Sequence, residues 1–138
     1  MSQAISNLDE LLRTMNATRE PGVYAYVSVP HETDVSALPY LALFREREGI
    51  SLIVAEEVAQ QAGLAMIFRC AWISLTVHSD LEACGLTTAF STALSAQGIS
   101  CNVVAAAFHD HIFVPLHRAD DAIACLDALS ASRSRSPS

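Results

Sequence analysis

The first fifteen residues alternate between apolar and polar positions at helical spacing. Apolar side chains recur every three or four residues, and charged side chains such as Asp9 and Arg13 fall on the opposite face. The pattern predicts an amphipathic helix, which the sequence Glu20-Pro21-Gly22 breaks because neither proline nor glycine favours a helix interior. The apolar positions are Ile5, Leu8, Leu11, Leu12 and Met15.

Strand-type patterns replace the helical spacing after this break. Val23–Val29 is rich in β-branched and aromatic residues, which favours a strand. Tyr40–Arg45 and Ile50–Ala55 predict a hairpin that turns through Glu46–Gly49. A short helix then begins at Glu56-Glu57, where acidic side chains suit the positive end of the helix dipole.

The second half of the chain begins with a long apolar stretch. Met66–Val77 has strand character throughout, which is long for one strand and predicts either two segments in series or one bent strand. A loop follows, and then a helix between Gly85 and Gly98. The last predicted elements are a hairpin of Cys101–Phe108 and Ile112–Leu116, turning through His109-Asp110, and a helix over Ala119–Leu129.

Both halves therefore repeat one plan of helix, strand, strand and helix. Helices segregated to one face of an antiparallel sheet define an α+β fold. We expect two ferredoxin-like halves, residues 1–70 and 71–130, which share the stretch Met66–Val77. Residues 131–138 show no apolar period, so we expect a disordered tail there.

Composition narrows the classes of partner. Hydrophobic residues make up 51% of the chain and charged residues 17%, which indicates a compact fold that covers part of its surface with a partner. We therefore expect a homodimer. Fifteen acidic residues against eight basic ones give a net charge of −7 and argue against nucleic acid as a partner.

Sequence features also bear on the compartment. The apolar runs fall well short of the roughly 20 residues that a bilayer needs, and the first residues lack the pattern of a leader peptide. We expect a cytoplasmic protein with no membrane partner. None of the four cysteines forms a C-x-x-C pair, which favours buried free thiols over a disulfide or a zinc site.

Two histidine-containing segments are candidates for chemistry. His109 and His111 would share one face of a strand and could approach a metal, but a site needs three or four ligands and a hairpin turn explains the same residues. His78, Ser79 and Asp80 suggest a catalytic triad, yet adjacent loop residues rarely converge in space. We therefore expect no catalytic residue, no metal and no cofactor.

The segment Ser79–Thr88 fits a binding loop better than a catalytic one. The backbone N–H groups at the start of the following helix suit a carboxylate, and Asp80 suits an amino group. An ordinary capping loop is the alternative. The predicted ligand-binding residues are Asp80, Gly85, Leu86, Thr87 and, from the facing strand, Asn102, whose amide can both donate and accept hydrogen bonds.

The stretch Ile73–Leu129 resembles the ACT domain, in which a strand leads through a glycine-containing loop to a helix and then to a second strand. More closely, the chain resembles a family of small bacterial proteins with two fused ACT-like halves. It departs from many ACT domains in having Cys84-Gly85 in place of Pro-Gly, and its first half lacks an opening strand of its own. The segments that carry the closer resemblance are Glu48–Glu57, Phe68–Cys70, Leu75–Ser79, Leu86-Thr87, Gly98–Val104 and His109–Pro115.

The resemblance implies a regulatory or sensor protein rather than an enzyme. Its small-molecule effector would be an amino acid, and its effect would fall on a target protein whose identity the sequence does not give. A ligand-free protein–protein interaction module is the alternative, followed by an enzyme that uses the region of His109 and His111.

Overall fold

The computed structural model describes residues 3–77 and 85–134 of the 138-residue chain. The α-helices are α1 (Gln3–Thr14), α2 (Glu56–Gln61), α3 (Leu86–Ala96) and α4 (Ala119–Ser134). The strands are β1 (Asn16–Arg19), β2 (Tyr24–Val29), β3 (Tyr40–Arg45), β4 (Ile50–Ala55), β5 (Phe68–Thr76), β6 (Asn102–Ala105) and β7 (Asp110–Pro115). Two short 3₁₀ turns, Val35–Ala37 and Leu116–Arg118, complete the described elements.

Contacts divide the chain into two compact units. One unit combines the residues up to Glu20 with those from Trp72 onward, and the other is Pro21–Ala71. We refer to them as the terminal unit and the central unit. Strand β5 crosses the boundary, so its first residues belong to the central unit and its last residues to the terminal unit.

The central unit is an antiparallel sheet covered by α2. Its strand order is β3-β4-β2-β5, and β2 pairs with β4 along its whole length and with Phe68–Cys70 of β5. Alternate residues of β2 and β4 point toward α2 and form the core with Ala59. This core consists of Val27, Val29, Ile50, Leu52, Val54 and Ala59.

The terminal unit combines three helices with the strand order β6-β7-β5, and β1 pairs with β5. Helix α4 packs against α1 and α3 and also contacts β1 and β7. The largest fully buried side chains of this unit include Leu12, Phe90, Leu94 and Leu126 from the helices and Ile73, Leu75, Ile112 and Phe113 from the strands. The predicted α+β class, with antiparallel strands and packed helices, is confirmed.

Strand β1 is an element that the sequence pattern does not predict. Asn16–Arg19 pairs antiparallel with β5, from Asn16 opposite Thr76 to Arg19 opposite Ile73. The Glu20 N–H continues this pairing by donating to the Trp72 carbonyl at 2.8 Å. The sequence Asn-Ala-Thr-Arg has no apolar alternation, so nothing local predicts a strand, and backbone pairing with β5 provides it.

Two other boundaries differ from the prediction. The β6–β7 turn lies at residues 106–109, where the Ala106 N–H donates to the His109 carbonyl at 3.1 Å. The apolar residues of this turn suggested a longer strand, yet Phe108 is 83% exposed. Helix α4 continues past Leu129 to Ser134, so residues 131–134 are helical.

Two contacts with α1 account for the longer helix. The Ser130 hydroxyl donates to the Arg13 carbonyl at 3.1 Å, and Arg133 pairs with Asp9 at 3.3 Å. The rest of the predicted tail, residues 135–138, lies outside the described residues.

Candidate functional site

The first candidate is the N-terminal end of α3, where the sequence predicts a ligand. Gly85 is the N-cap residue and has no side chain with which to cap the helix. The first N–H groups of α3 therefore depend on other partners, such as a ligand or water. Leu86 is buried in the core, and Thr87 is exposed. Asp80 lies outside the described residues.

The packing around Gly85 gives a second reason for glycine at this position. Its φ of +96° lies in the left-handed region, which side chains disfavour. A Cβ atom built at Gly85 would lie 3.2 Å from Cδ2 of Leu8 in α1. The close approach that glycine permits here is therefore to helix α1.

Asn102 lies at the other end of α3 from these residues. The preceding residues Ile99–Cys101 line a shallow groove together with Ser91, Thr92, Ser95 and Ala96 of α3. Helix α3 has 11 residues and is roughly 16 Å long. The Asn102 amide donates to the Phe113 carbonyl across the β6–β7 pair at 3.3 Å. That one amino acid contacts Asn102 as well as the residues at the N-terminal end of α3 stays a prediction.

The second candidate is a group of polar and aromatic side chains on the sheet of the terminal unit. Because successive strand residues point to opposite faces, Trp72 and Ser74 share one face of β5. His111 and Phe113 share one face of β7 in the same way, and the alternating residues Ile112 and Val114 point to the other face. Glu20 and His109 lie next to these polar side chains. We refer to the following five residues as the Trp72–His111 cluster: Glu20, Trp72, Ser74, His109 and His111.

Hydrogen bonds connect this cluster. The Trp72 Nε1–H donates to Nδ1 of His111 at 3.0 Å, and the Ser74 hydroxyl donates to Oε2 of Glu20 at 2.8 Å. The Ser74 oxygen also lies 3.4 Å from Nδ1 of His111. An indole nitrogen can only donate, so Nδ1 of His111 is the acceptor and its proton resides on Nε2.

The surroundings of His111, its burial above all, favour its neutral form. Burial lowers the pKa of His111, nearby His109 lowers it further, and the carboxylates of Asp110 and Glu20 act in the opposite direction. Burial also raises the pKa of Asp110, against the opposing effect of His111. The rings of His109 and His111 meet edge to face with centroids 6.0 Å apart.

This arrangement is unsuited to nucleophilic catalysis. The Ser74 hydroxyl donates to the Glu20 carboxylate, and Nδ1 of His111 already accepts from the Trp72 indole, so His111 is not placed to remove the Ser74 proton as the base of a catalytic triad does. Burial raises the pKa of the Cys70 thiol to about 12 and that of Cys101 to about 11, which keeps both in the unreactive protonated form. Within residues 3–77 and 85–134, no three His, Cys, Asp or Glu side chains are arranged to hold a metal ion.

The sequence identified part of this cluster. His109 and His111 stand out as a pair, whereas Trp72, Ser74 and Glu20 carry no motif. The usable signal is the i, i+2 spacing of Trp72 and Ser74 in an otherwise apolar stretch, which places two polar groups on one strand face.

Comparisons with known proteins assign the family. Two ACT-domain models match the chain in tandem, one over residues 3–71 and the other over residues 67–128. The chain belongs to the ACT-domain family, and each of its halves corresponds to one ACT domain. The predicted resemblance to a protein with two fused ACT-like halves is thereby confirmed. A search of curated proteins finds no match.

Solved structures agree with this assignment. A Vibrio cholerae protein of unknown function, described as a possible transport protein, is 42% identical, with a TM-score of 0.84 over 92% of this chain and 98% of the Vibrio chain. The ligand-free regulatory subunit of aspartate kinase from Thermus thermophilus is 11% identical, with a TM-score of 0.63 over 83% of this chain and 97% of that one. The second similarity shows a shared fold. The described residues include no helix long and apolar enough to cross a bilayer.

Proposed function

We propose that this chain is a non-enzymatic regulatory protein that binds a small molecule, with an amino acid as the candidate effector. The observation that carries the proposal is the tandem match to ACT domains over nearly the whole chain. The similarity to a regulatory subunit of aspartate kinase supports a regulatory role. The effect of ligand binding would fall on a target protein.

The N-terminal end of α3 is the proposed position of the ligand. Gly85 provides no cap, so the first N–H groups of α3 can receive a carboxylate, and the helix dipole favours negative charge there. Thr87 is exposed at this end and can contact the ligand. Asp80 and the backbone of the buried Leu86 complete the proposed contacts at this end, whereas contact with Asn102, at the other end of α3, stays a prediction.

A thermal-shift screen against the twenty amino acids and common metabolites tests the function. A ligand present at 100 times its dissociation constant adds about 2.7 kcal/mol to the free energy of unfolding, which raises the melting temperature by several degrees. We expect at least one amino acid to produce this shift. If none of the compounds changes the melting temperature at millimolar concentration, the sensor proposal is wrong.

A pair of threonine variants tests the position of the ligand. Thr87→Glu places a negative charge in the first turn of α3, where it stabilises the helix but repels a bound carboxylate. Thr92→Glu makes the same change at an exposed position in the middle of α3. We expect Thr87→Glu to weaken binding of the amino acid found in the screen about tenfold or more. Equal affinity in the two variants contradicts the proposed position.

One observation supports self-association as a companion or alternative function. Strand β3 lies at the edge of the sheet of the central unit, and its apolar side chains are exposed: Tyr40 is 46%, Leu41 38% and Phe44 71% accessible. Such an edge presents unpaired backbone groups together with apolar surface and can pair with a second copy of the chain. We therefore propose a homodimer formed through β3.

A further inference from the structure

The hydrogen bond between Trp72 and His111 depends on which nitrogen of His111 carries the proton. The bond is 3.0 Å long, and the indole N–H is a donor with no capacity to accept. A protonated imidazole carries hydrogens on both nitrogens, so two donors would then face each other at this distance. The bond can exist only while His111 is neutral.

We propose that the Trp72–His111 pair is a proton-operated switch in the terminal unit. Protonation of Nδ1 of His111 breaks the bond from the Trp72 indole, and the new N–H donates instead toward Ser74 and Glu20. This inference is independent of the proposed ligand and of its position at α3.

The acid form has an acceptor already in place. The Ser74 hydroxyl oxygen lies 3.4 Å from Nδ1 of His111 and is itself bonded to the Glu20 carboxylate at 2.8 Å. A hydroxyl oxygen accepts as well as donates, so it can accept from the new N–H of His111 while its own O–H continues to donate to the Glu20 carboxylate. The proton added to His111 thus joins a chain that ends on a negative charge.

The groups that face His111 determine the pH at which the switch operates. The negative groups among the described residues are Glu20, which follows β1, and Asp110 on β7 itself, and both favour the protonated form. Burial and His109, from the β6–β7 turn, oppose it and have the larger effect. Strand β6 places the uncharged Val104 opposite His111, and β5 contributes Trp72 and Ser74. The switch therefore operates below the ordinary histidine pKa of 6.5.

Release of the indole changes the surroundings of an aromatic pair. The Trp72 ring is nearly parallel to that of Phe113, with an interplanar angle of 20° and centroids 6.5 Å apart. The bond to His111 helps to fix the plane of the indole in this pair. Loss of the bond removes this restraint on the indole and opens its N–H to exchange with solvent.

Because Trp72 is the single tryptophan of the chain, its fluorescence reports on the switch directly. The experiment titrates the emission of the full-length protein from about pH 8 to about pH 5, with circular dichroism recorded to show that the fold persists. We expect one transition with a midpoint below 6.5, because imidazolium quenches indole emission. Exchange of the indole N–H with solvent, followed by NMR, should accelerate over the same range.

Two glutamine variants complete the test. His111→Gln retains an oxygen that accepts from the indole but does not titrate, so the transition should disappear. His109→Gln removes a neighbouring positive charge but leaves the bond intact, so the midpoint should rise. If His111→Gln does not fold, His111→Asn serves the same purpose. A transition that persists without His111, or the absence of any transition in the parent protein, overturns the proposal.

Discussion

At the scale of single residues, His111 links protonation to the stability of the fold. Burial and the charge of His109 lower its pKa below 6.5, the value expected in the unfolded chain. The unfolded state therefore binds a proton more readily than the folded state does. The contribution of His111 to the free energy of unfolding is fully present above pH 6.5. It is lost as the pH falls from 6.5 toward the lower pKa that His111 has in the folded protein.

This linkage predicts that the free energy of unfolding decreases between pH 7.5 and about pH 5.5. Urea denaturation at a series of pH values measures it. Asp110, whose pKa burial raises, contributes in the opposite sense, since its protonated form is favoured in the fold and that contribution is lost as the pH rises. His111→Gln isolates the histidine contribution: the parent protein should lose more stability than the variant on acidification. Identical slopes would show that His111 does not contribute.

Sequence reasoning found the histidines of the cluster but not their partners. Alternation along a strand places His109 and His111 on one face, and this much is local. Trp72 bonds to His111 across 39 residues of sequence, and Ser74 bonds to Glu20 across 54. The lateral order of the strands brings these groups together, and no property of the individual segments encodes that order.

At the scale of elements, α3 is bounded by two glycines with positive φ. Gly85 precedes it with φ of +96°, and Gly98 follows it with φ of +71°. The surroundings differ, because a Cβ at Gly98 would contact nothing within 4 Å, whereas one at Gly85 would meet Leu8. A side chain at Gly98 therefore incurs only the free-energy cost of the left-handed backbone conformation. A side chain at Gly85 incurs that cost and also the cost of contact with Leu8.

Alanine at each glycine makes this separation measurable. Gly98→Ala should reduce the free energy of unfolding by about 1 kcal/mol, because alanine tolerates the left-handed region poorly. Gly85→Ala should cost more, because the Leu8 side chain must also move. Chemical denaturation of the two variants provides the comparison. Equal losses would indicate that Leu8 adjusts freely.

The sequence predicts best those helices and strands whose ends are marked by local residues such as turn or glycine residues. Helix α3 was predicted well because glycines mark both ends, and β3 and β4 because a clear turn joins two apolar strands. Strand β1 was missed because its pairing with β5 is a tertiary contact. The C-terminal turn of α4 was missed for the same reason, since Ser130 and Arg133 bind α1 rather than continuing an apolar pattern.

At the scale of the whole molecule, the exposed edge strand β3 is where we propose that two copies of the chain associate. Composition predicted a partner from the low share of charged residues, and the structure provides one apolar edge that suits such a partner. Phe44 is more exposed than the other two exposed apolar residues of that edge, Tyr40 and Leu41. The position of the proposed interface could not come from the sequence, because β3 and β4 have similar apolar patterns and only the sheet order makes β3 an edge strand.

A lysine at this edge should prevent self-association. Phe44→Lys places a charge where two copies of β3 would meet, so the variant should sediment as a monomer at tens of micromolar protein, about the range in which modest interfaces persist. Phe108→Lys changes another highly exposed phenylalanine, in the β6–β7 turn, and serves as the control. The control should remain a dimer. Dissociation of the control but not of Phe44→Lys would place the interface elsewhere.

The position of β1 determines the order in which the chain can fold as it leaves the ribosome. The central unit is continuous in sequence and can form while the C-terminal residues are still being added. The terminal unit needs both ends of the chain: Arg19 meets Asp120 across 101 residues, and Asp9 meets Arg133 across 124. Helix α1 and strand β1 therefore cannot complete their packing until α4 has been synthesised, and nascent chains halted before α4 should leave them available to chaperones.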